Sequence, residues 1–433
     1  MPTTHAALLV IHRIIYNVYF HPLSSFPGPF WVRATILWYI YHIYHADNHL
    51  AVQQLHLKYG PVVRVAPNEF LYLSPNIRKS IFGYKPNSPE NIKDPAQSMK
   101  GYQGSGRDTI LTAPCEEHGK MRRLLSHSFS DKALKEQEPV FAFYVDLVME
   151  KLHDACVEPV DIFTTFDVID HLVFAKPFDC LSSTKYHFWV SFFFETVRAI
   201  TLMRSLNRER PLIIPTLMRL LPKDEQGILD PEELELNVPI LIAAGSETTA
   251  TLMSGATYFI GKDPRVYGKL VKEIRSAFKT KEEITISRVG ELKYLSTVLD
   301  EALRLYPPTP TNRSRMLLPQ GTTMEGQYIP DNALVGINFY AAFRSESKFH
   351  HGEEFVPERF LHNDHNDEFK HDRRDVLQPF YLALVEMRLI MARLLSEFDF
   401  EILPKSDRWI DQKSYVVWAK PLLMVRLRPV GKA

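Results

Sequence analysis

The spacing of apolar residues along the chain predicts a mainly helical protein. From residue 116 onward apolar side chains recur every three to four positions, the period of a helix packed by one face against a core. Two shorter apolar segments, at residues 61–74 and 326–339, are bounded by Pro and Asn and predict small groups of strands. The predicted helices span residues 117–130, 138–156, 232–260, 264–278, 292–306 and 382–397.

The first 29 residues follow a different pattern. Residues 6–20 are apolar but shorter than the roughly 20 residues of a membrane-spanning helix, and three polar residues interrupt them. Three prolines at positions 22–29 then stiffen the chain. We therefore interpret residues 1–29 as a short hydrophobic anchor and proline-rich hinge. The aromatic stretch at residues 31–44 fits a membrane interface and a first core helix equally well.

Composition places the rest of the chain, residues 30–433, in one large globular domain, mainly α with a small β region. Lys plus Arg and Asp plus Glu both number 51, so no basic excess indicates a nucleic-acid partner. The three cysteines, Cys115, Cys156 and Cys180, are widely spaced, which argues against a disulfide framework and for a reducing compartment. The histidine pairs at 350–351 and 362/365 lack a third ligand at a suitable spacing, so we expect them to face solvent.

The predicted helix at 232–260 carries the first candidate site. Ala244 and Gly245 lack bulk, and Glu247 and Thr248 follow them as an acid–hydroxyl pair. Such a helix could cross a flat cofactor, leaving room for a small ligand to which the pair relays protons. Close packing of small residues against another helix explains the same pattern equally well. Pro239, well inside the helix, predicts a kink.

A second motif lies on the predicted helix at 292–306. Glu301 and Arg304 are three positions apart on one helix face, close enough to pair. Downstream, Arg359 occurs in a Pro-Glu-Arg-Phe segment.

These segments, in this order, resemble the cytochrome P450 superfamily of haem-thiolate monooxygenases, and most closely the fungal microsomal enzymes of secondary metabolism. The resemblance implies a cytochrome P450-like fold, with proton delivery by Glu247 and Thr248 beside an oxygen groove at Ala244 and Gly245. It also implies that Glu301, Arg304 and Arg359 form a buried triad that locks the proximal core. His118, Arg122 and Arg315 match positions that bind the haem edge, where guanidinium groups suit carboxylates.

The chain departs from this family at the metal ligand. Between Phe380 and Tyr381 about ten residues are missing, including the cysteine whose thiolate binds the iron and favours O–O cleavage. The resemblance implies a haem cofactor, and this deletion puts its binding in doubt. Tyr381 is a poor candidate for a replacement ligand, so we expect no metal ligand. A second shortening lies near residues 221–230, in the region that roofs the substrate pocket.

Three functional hypotheses remain open. In the first, the protein is a catalytically inactive cytochrome P450 relative, a pseudoenzyme. In the second, it is an active monooxygenase that hydroxylates or epoxidises a small apolar metabolite with electrons from a reductase, its sequence truncated by an error in gene prediction. In the third, it is a non-enzymatic partner protein. In each we expect association with the cytosolic face of the endoplasmic reticulum membrane.

Overall fold

The computed structural model describes residues 2–83, 91–94, 108–126, 131–162, 231–318, 320–361, 367–377 and 381–431. The fold is mainly α with a small β region, which confirms the predicted class. Elements are numbered here within those residues. The helices are α1 (Pro2–Ile15), α2 (Phe30–Ala34), α3 (Leu37–His45), α4 (Asn48–Tyr59), α5 (Pro75–Phe82), α6 (Cys115–Ser126), α7 (Asp131–Ala155), α8 (Pro231–Lys262), α9 (Pro264–Ala277), α10 (Ile286–Val289), α11 (Lys293–Leu305), α12 (Phe339–Arg344) and α13 (Tyr381–Glu397).

The predicted helices correspond to α6 to α9, α11 and α13, and two of these helices contain a proline. α7 begins at Asp131, seven residues before its predicted start, and runs through Pro139. α8 continues past Pro239 as one helix, and the kink at this proline stays a prediction. A long helix packed along its length loses only one backbone hydrogen bond at a proline and can retain the rest.

Short strands form four small sheets. The strands are β1 (Val62–Ala66), β2 (Glu69–Tyr72), β3 (Ile92–Lys93), β4 (Val160–Asp161), β5 (Asn312–Met316), β6 (Thr322–Met324), β7 (Gln327–Ile329), β8 (Leu334–Asn338), β9 (Phe398–Ile402), β10 (Lys413–Ser414), β11 (Trp418–Ala419) and β12 (Met424–Pro429). The largest sheet has the order β1-β2-β8-β5-β3, with β2 parallel to β8 and the other pairs antiparallel.

The predicted hairpin at 61–74 is β1 and β2, whereas the strand group at 326–339 divides between two sheets. β7 pairs with β6, and β8 joins the five-stranded sheet. Asn332, between them, has a φ of 56° and so takes the left-handed conformation that asparagine tolerates in turns. The turn therefore redirects the chain instead of closing a hairpin.

The main hydrophobic core lies where α8 packs against α11, α13 and the sheet of β9 and β12. Apolar side chains of α11 and α13 are fully buried there, Leu295, Leu299 and Met391 among them. Aromatic rings extend this core towards the C-terminal strands, where Tyr306 and Trp418 stack with centroids 4.9 Å apart. This packing fixes α8 against the strands that follow β10, which matters for the candidate site.

At the N-terminus, α1 continues into a π-helical turn, Tyr16–Phe20. Among the described residues we find no helix whose length and apolar character would let it cross a bilayer. α3 buries Tyr39 and Ile43 but exposes Leu37, Tyr41 and Tyr44. The aromatic stretch therefore combines a core-packing face with an exposed apolar face. The shortened roof near 221–230 lies outside the described residues.

Candidate functional site

A cavity of about 480 Å³ lies between α8, α11, α13 and the five-stranded sheet. Its walls are mostly apolar, with three arginines and three threonines. The described lining residues are Arg78, Phe82, Thr248, Thr249, Leu252, Leu303, Pro307, Pro308, Thr309, Arg313, Arg315, Phe339, Phe343, Val376, Leu377, Leu384 and Met387. A cavity of this size and character suits a flat apolar molecule that carries negative charge.

α8 divides the predicted proton-delivery pair between two environments. Thr248 lines the cavity together with Thr249, whereas Glu247 is buried outside its described lining. Gly245 is partly buried one turn earlier. The side chain of Ala244 lies outside the described part of the helix. Thr248 is thus the member of the pair that reaches the cavity.

Two side chains that could not be selected from the sequence contact the Glu247 carboxylate. Thr251, four residues on, donates a hydrogen bond of 3.0 Å to Glu247 Oε1. Lys420 Nζ donates to the same oxygen, and also to Thr251 Oγ1 at 2.9 Å. Both charged side chains are nearly inaccessible, 8% for Glu247 and 2% for Lys420. Burial raises the pKa of Glu247, and the Lys420 ammonium opposes that rise.

α8 approaches the chain beyond α11 so closely that a side chain at one of its positions would meet a neighbouring ring. A Cβ built on Gly255 would lie 2.4 Å from Cδ1 of Tyr306. The hydroxyl of Tyr306 donates to Gln412 Oε1 at 2.7 Å, which holds the ring in place. The small residue at this point lets the helix reach the aromatic stack beside the cavity.

Of the predicted haem-edge residues, Arg315 lines the cavity and the other two do not line it among the described residues. Arg315 lies on β5, with its guanidinium carbon 5.0 Å from the centroid of Phe82. On α6, Arg122 is exposed and His118 is partly buried. Sequence reasoning missed Arg78 and Arg313, which also line the cavity. The i, i+2 spacing of Arg313 and Arg315 on a strand was the available signal.

The three predicted triad residues come together in a fully buried network. Arg304 contacts both Glu301 oxygens, at 2.7 and 2.8 Å, and Arg359 Nε donates to Glu301 Oε1 at 3.1 Å. All three side chains are completely inaccessible. Asp372, which sequence reasoning missed, pairs with Arg359 Nη1 at 2.5 Å. A buried cluster of this kind is stable only because every charge has a partner.

The same network holds the backbone around the exposed histidines. Arg359 donates to the carbonyl oxygens of His350 and His351, at 2.8 and 3.1 Å. Both rings are exposed as expected, but the structure adds the third group that the sequence spacing did not reveal. Glu368 Oε1 lies 4.0 Å from His350 Nε2 and 3.6 Å from His351 Nε2. Because His351 Nδ1 also lies 3.2 Å from Glu354, we interpret the group as a surface ion-pair cluster.

The junction Phe380–Tyr381, where the expected cysteine loop is absent, is called the seam here. Described residues on both sides of the seam line the cavity. Val376 and Leu377 before it, and Leu384 and Met387 after it, all line the cavity. Helix α13 begins at Tyr381, whose side chain lies outside the described part of the structure. Only a few residues therefore connect the two sides.

The described residues that line the cavity suit the haem ring but not its iron. Apolar walls and arginines suit the macrocycle and its carboxylates. The described lining includes neither cysteine nor histidine, and its one sulfur is the Met387 thioether. Cys156 lies at the end of α7, where its thiol donates to the carbonyl oxygen of His153 at 3.1 Å. The described residues that line the cavity do not fit a haem-thiolate centre.

Comparison with known proteins identifies the family to which this chain is similar along nearly its whole length. The family model described as Cytochrome P450 matches residues 25–228 and 193–427. The chain is 37% identical to cytochrome P450 monooxygenase astA of Talaromyces wortmannii, over 98% of this chain and 96% of that protein. It is 35% identical to the trichothecene C-15 hydroxylase of Fusarium sporotrichioides, over 98% and 97% of the two chains. The averantin hydroxylase of Dothistroma septosporum is 34% identical, over 98% and 90%.

These alignments also contain positions that this chain does not fill. The alignment with astA spans 481 positions, while 98% of 433 residues is about 424, so about 57 positions face no residue of this chain. The relatives cover nearly the whole chain, so the missing positions lie largely within it.

Proposed function

Because this chain belongs to the cytochrome P450 family, we propose that it is a member from fungal secondary metabolism that has lost haem-thiolate monooxygenase activity. The observation that carries the proposal is the seam beside the cavity, where Leu377 and Leu384 line the wall and no cysteine is available. The thiolate both holds the iron and favours O–O cleavage in this family. The sequence has no cysteine after Cys180, so this role has no donor on the C-terminal half of the chain.

An insertion experiment tests this proposal. A glycine-bounded loop that carries the cysteine expected in this family would be inserted between Phe380 and Tyr381, and a matched insertion would carry serine at the cysteine position. After haem loading, reduction and treatment with carbon monoxide, we expect the thiolate-type Soret band only from the cysteine insertion. The same band from the unmodified protein would overturn the proposal.

A second candidate function, active monooxygenation, is favoured by the residues that the chain retains from the family pattern. The buried Glu301–Arg304–Arg359 network, the cavity and Thr248 are all in place. If messenger RNA encodes extra residues at the seam, a cysteine among them, the protein would be an active monooxygenase. It would then use a small-molecule substrate and a reductase, with Glu247 and Thr248 delivering protons. Sequencing the transcript across Phe380–Tyr381 distinguishes the two functions.

We also propose that the protein associates with a membrane surface, that of the endoplasmic reticulum. The support is an exposed apolar region near the N-terminus, where Leu9, Phe20 and Trp31 are 69%, 72% and 71% accessible. Large apolar side chains exposed together are unusual on a monomeric soluble protein and mark interaction surfaces. Cosedimentation with phosphatidylcholine vesicles should fall in a Leu9→Glu/Phe20→Glu variant and stay unchanged in Leu422→Glu, a similarly exposed leucine at the opposite end of the chain. A non-enzymatic partner role would keep this membrane binding.

A further inference from the structure

Among the described residues, one arginine of the cavity has no partner. Arg313 and Arg315 are two positions apart on β5, so their side chains project to the same side of the sheet. Between them Ser314 points the other way and donates to Glu69 Oε1 at 2.8 Å. Both arginines consequently line the cavity.

The two arginines differ in what they contact. Arg315 packs on the ring of Phe82. Arg313, by contrast, has no hydrogen bond, ion pair or ring contact within the part of the chain that the structure describes. Its side chain is exposed in the open cavity, and desolvation by the protein around it lowers its pKa. Because the guanidinium is accessible from the cavity, it can pair with an anion that enters there.

The other walls indicate what kind of anion fits. The described lining contains three arginines and neither aspartate nor glutamate, so the described walls carry positive charge. Leu252, Leu303 and Phe339 offer apolar surface around it. A guanidinium presents paired N–H donors that match both oxygens of a carboxylate. The complementary ligand is therefore a mainly apolar molecule with one carboxylate.

We propose that the cavity binds an apolar carboxylic acid, with its carboxylate held by Arg313. The proposal concerns binding alone and does not depend on the iron ligand. If the cavity does not bind a carboxylic acid, the proposed loss of thiolate chemistry still stands. If the protein does have thiolate chemistry, carboxylate binding by Arg313 still stands. The same carboxylate chemistry could come from the propionates of haem, so the experiment must separate the two sources.

Calorimetric titration of the full-length protein, without added haem, makes the test. The probes are octanoate, dodecanoate and 2-naphthoate, each compared with its methyl ester. We expect at least one acid to bind at least about ten-fold more tightly than its ester, since a charge-assisted hydrogen bond contributes about 1.5–3 kcal/mol and 1.4 kcal/mol is ten-fold. Arg313→Gln should abolish that preference, and Arg313→Lys should retain part of it.

A control variant and a stability measurement show whether the effect on binding is specific to Arg313. Arg288→Gln removes an arginine outside the cavity and should leave the preference unchanged. Thermal unfolding of Arg313→Gln should match the wild type, because no partner is lost. Equal binding of acids and esters, binding of neither, or an unchanged preference in Arg313→Gln would overturn the proposal. It would also be overturned if Arg313→Gln weakened haemin binding and left acid binding intact.

Discussion

Lys420 neutralises Glu247 inside the protein, across 173 residues of sequence. The pair joins α8 to the short segment between β11 and β12. Both charges are buried, so the pair is held by its geometry and by the Thr251 hydroxyl that contacts both. The Glu247 carboxylate therefore contacts the C-terminal segment and does not face the described part of the cavity.

Breaking that pair should be costly. Lys420→Met leaves Glu247 buried without its cation, and we expect a loss of about 3–5 kcal/mol in the free energy of unfolding. The loss should shrink at low pH, where Glu247 is protonated. Urea denaturation followed by circular dichroism measures both effects.

Two controls accompany this variant. Glu247→Gln combined with Lys420→Met removes both charges and should recover most of the lost stability. Lys262→Met breaks an exposed pair with Asp407, 2.8 Å apart, and should cost less than about 1 kcal/mol. Equal effects of Lys420→Met and Lys262→Met would contradict the buried-pair interpretation.

Glu386 on α13 should make the stability depend on pH. Burial raises its pKa to about 8, and its Oε1 has no hydrogen-bond partner in the described structure. The folded state therefore binds the proton more tightly than the unfolded state, whose pKa is about 4.5. The stabilising contribution is full below pH 4.5 and is lost as the pH rises towards 8, by about 1.4 kcal/mol per pH unit.

The variant Glu386→Gln cannot ionise, so it should lose this dependence. We expect wild type and variant to be similarly stable near pH 5, and the variant to be more stable at pH 8.5. Urea denaturation at several pH values between 5 and 8.5 gives the comparison. If the free energy of unfolding changes with pH in the same way for wild type and variant between pH 5 and 8, Glu386 ionises normally and the prediction is wrong.

The close approach of α8 to Tyr306 predicts opposite outcomes for two helical glycines. Gly255→Ala places a methyl group against the Tyr306 ring and should destabilise the protein by about 1–3 kcal/mol. Gly268→Ala, on the exposed face of α9 with nothing within 4 Å, should stabilise it by about 0.5–1 kcal/mol. Thermal unfolding of the two variants should shift in opposite directions, and a shift in the same direction would refute the close contact.

Asp372 should matter as much as the residues of the recognised motif. Asp372→Asn removes the charge facing the inaccessible Arg359 and should cost about 3 kcal/mol or more. Asp375→Asn breaks the exposed pair with Arg373, 3.0 Å apart, and should change stability by less than about 1 kcal/mol. Chemical denaturation compares them, and an effect of Asp372→Asn as small as that of the control would remove Asp372 from the network.

The helices and the family motifs could be predicted from the sequence because their signals are local. Helix α11 follows from apolar residues at helical spacing, and Glu301 and Arg304 from a separation of three on one face. The missing cysteine is likewise a fact of the sequence alone.

Only the tertiary structure decided which charges are paired and which are not. The pairing of Lys420 with Glu247 and of Asp372 with Arg359 depends on distances between separate segments of the chain. The same holds for Arg313, which has no partner among the described residues. Sequence spacing does not encode such distances, because they result from how the helices and sheets pack around the cavity. The residues beside the seam line that cavity for the same reason: α13 and the segment before it meet there only after folding.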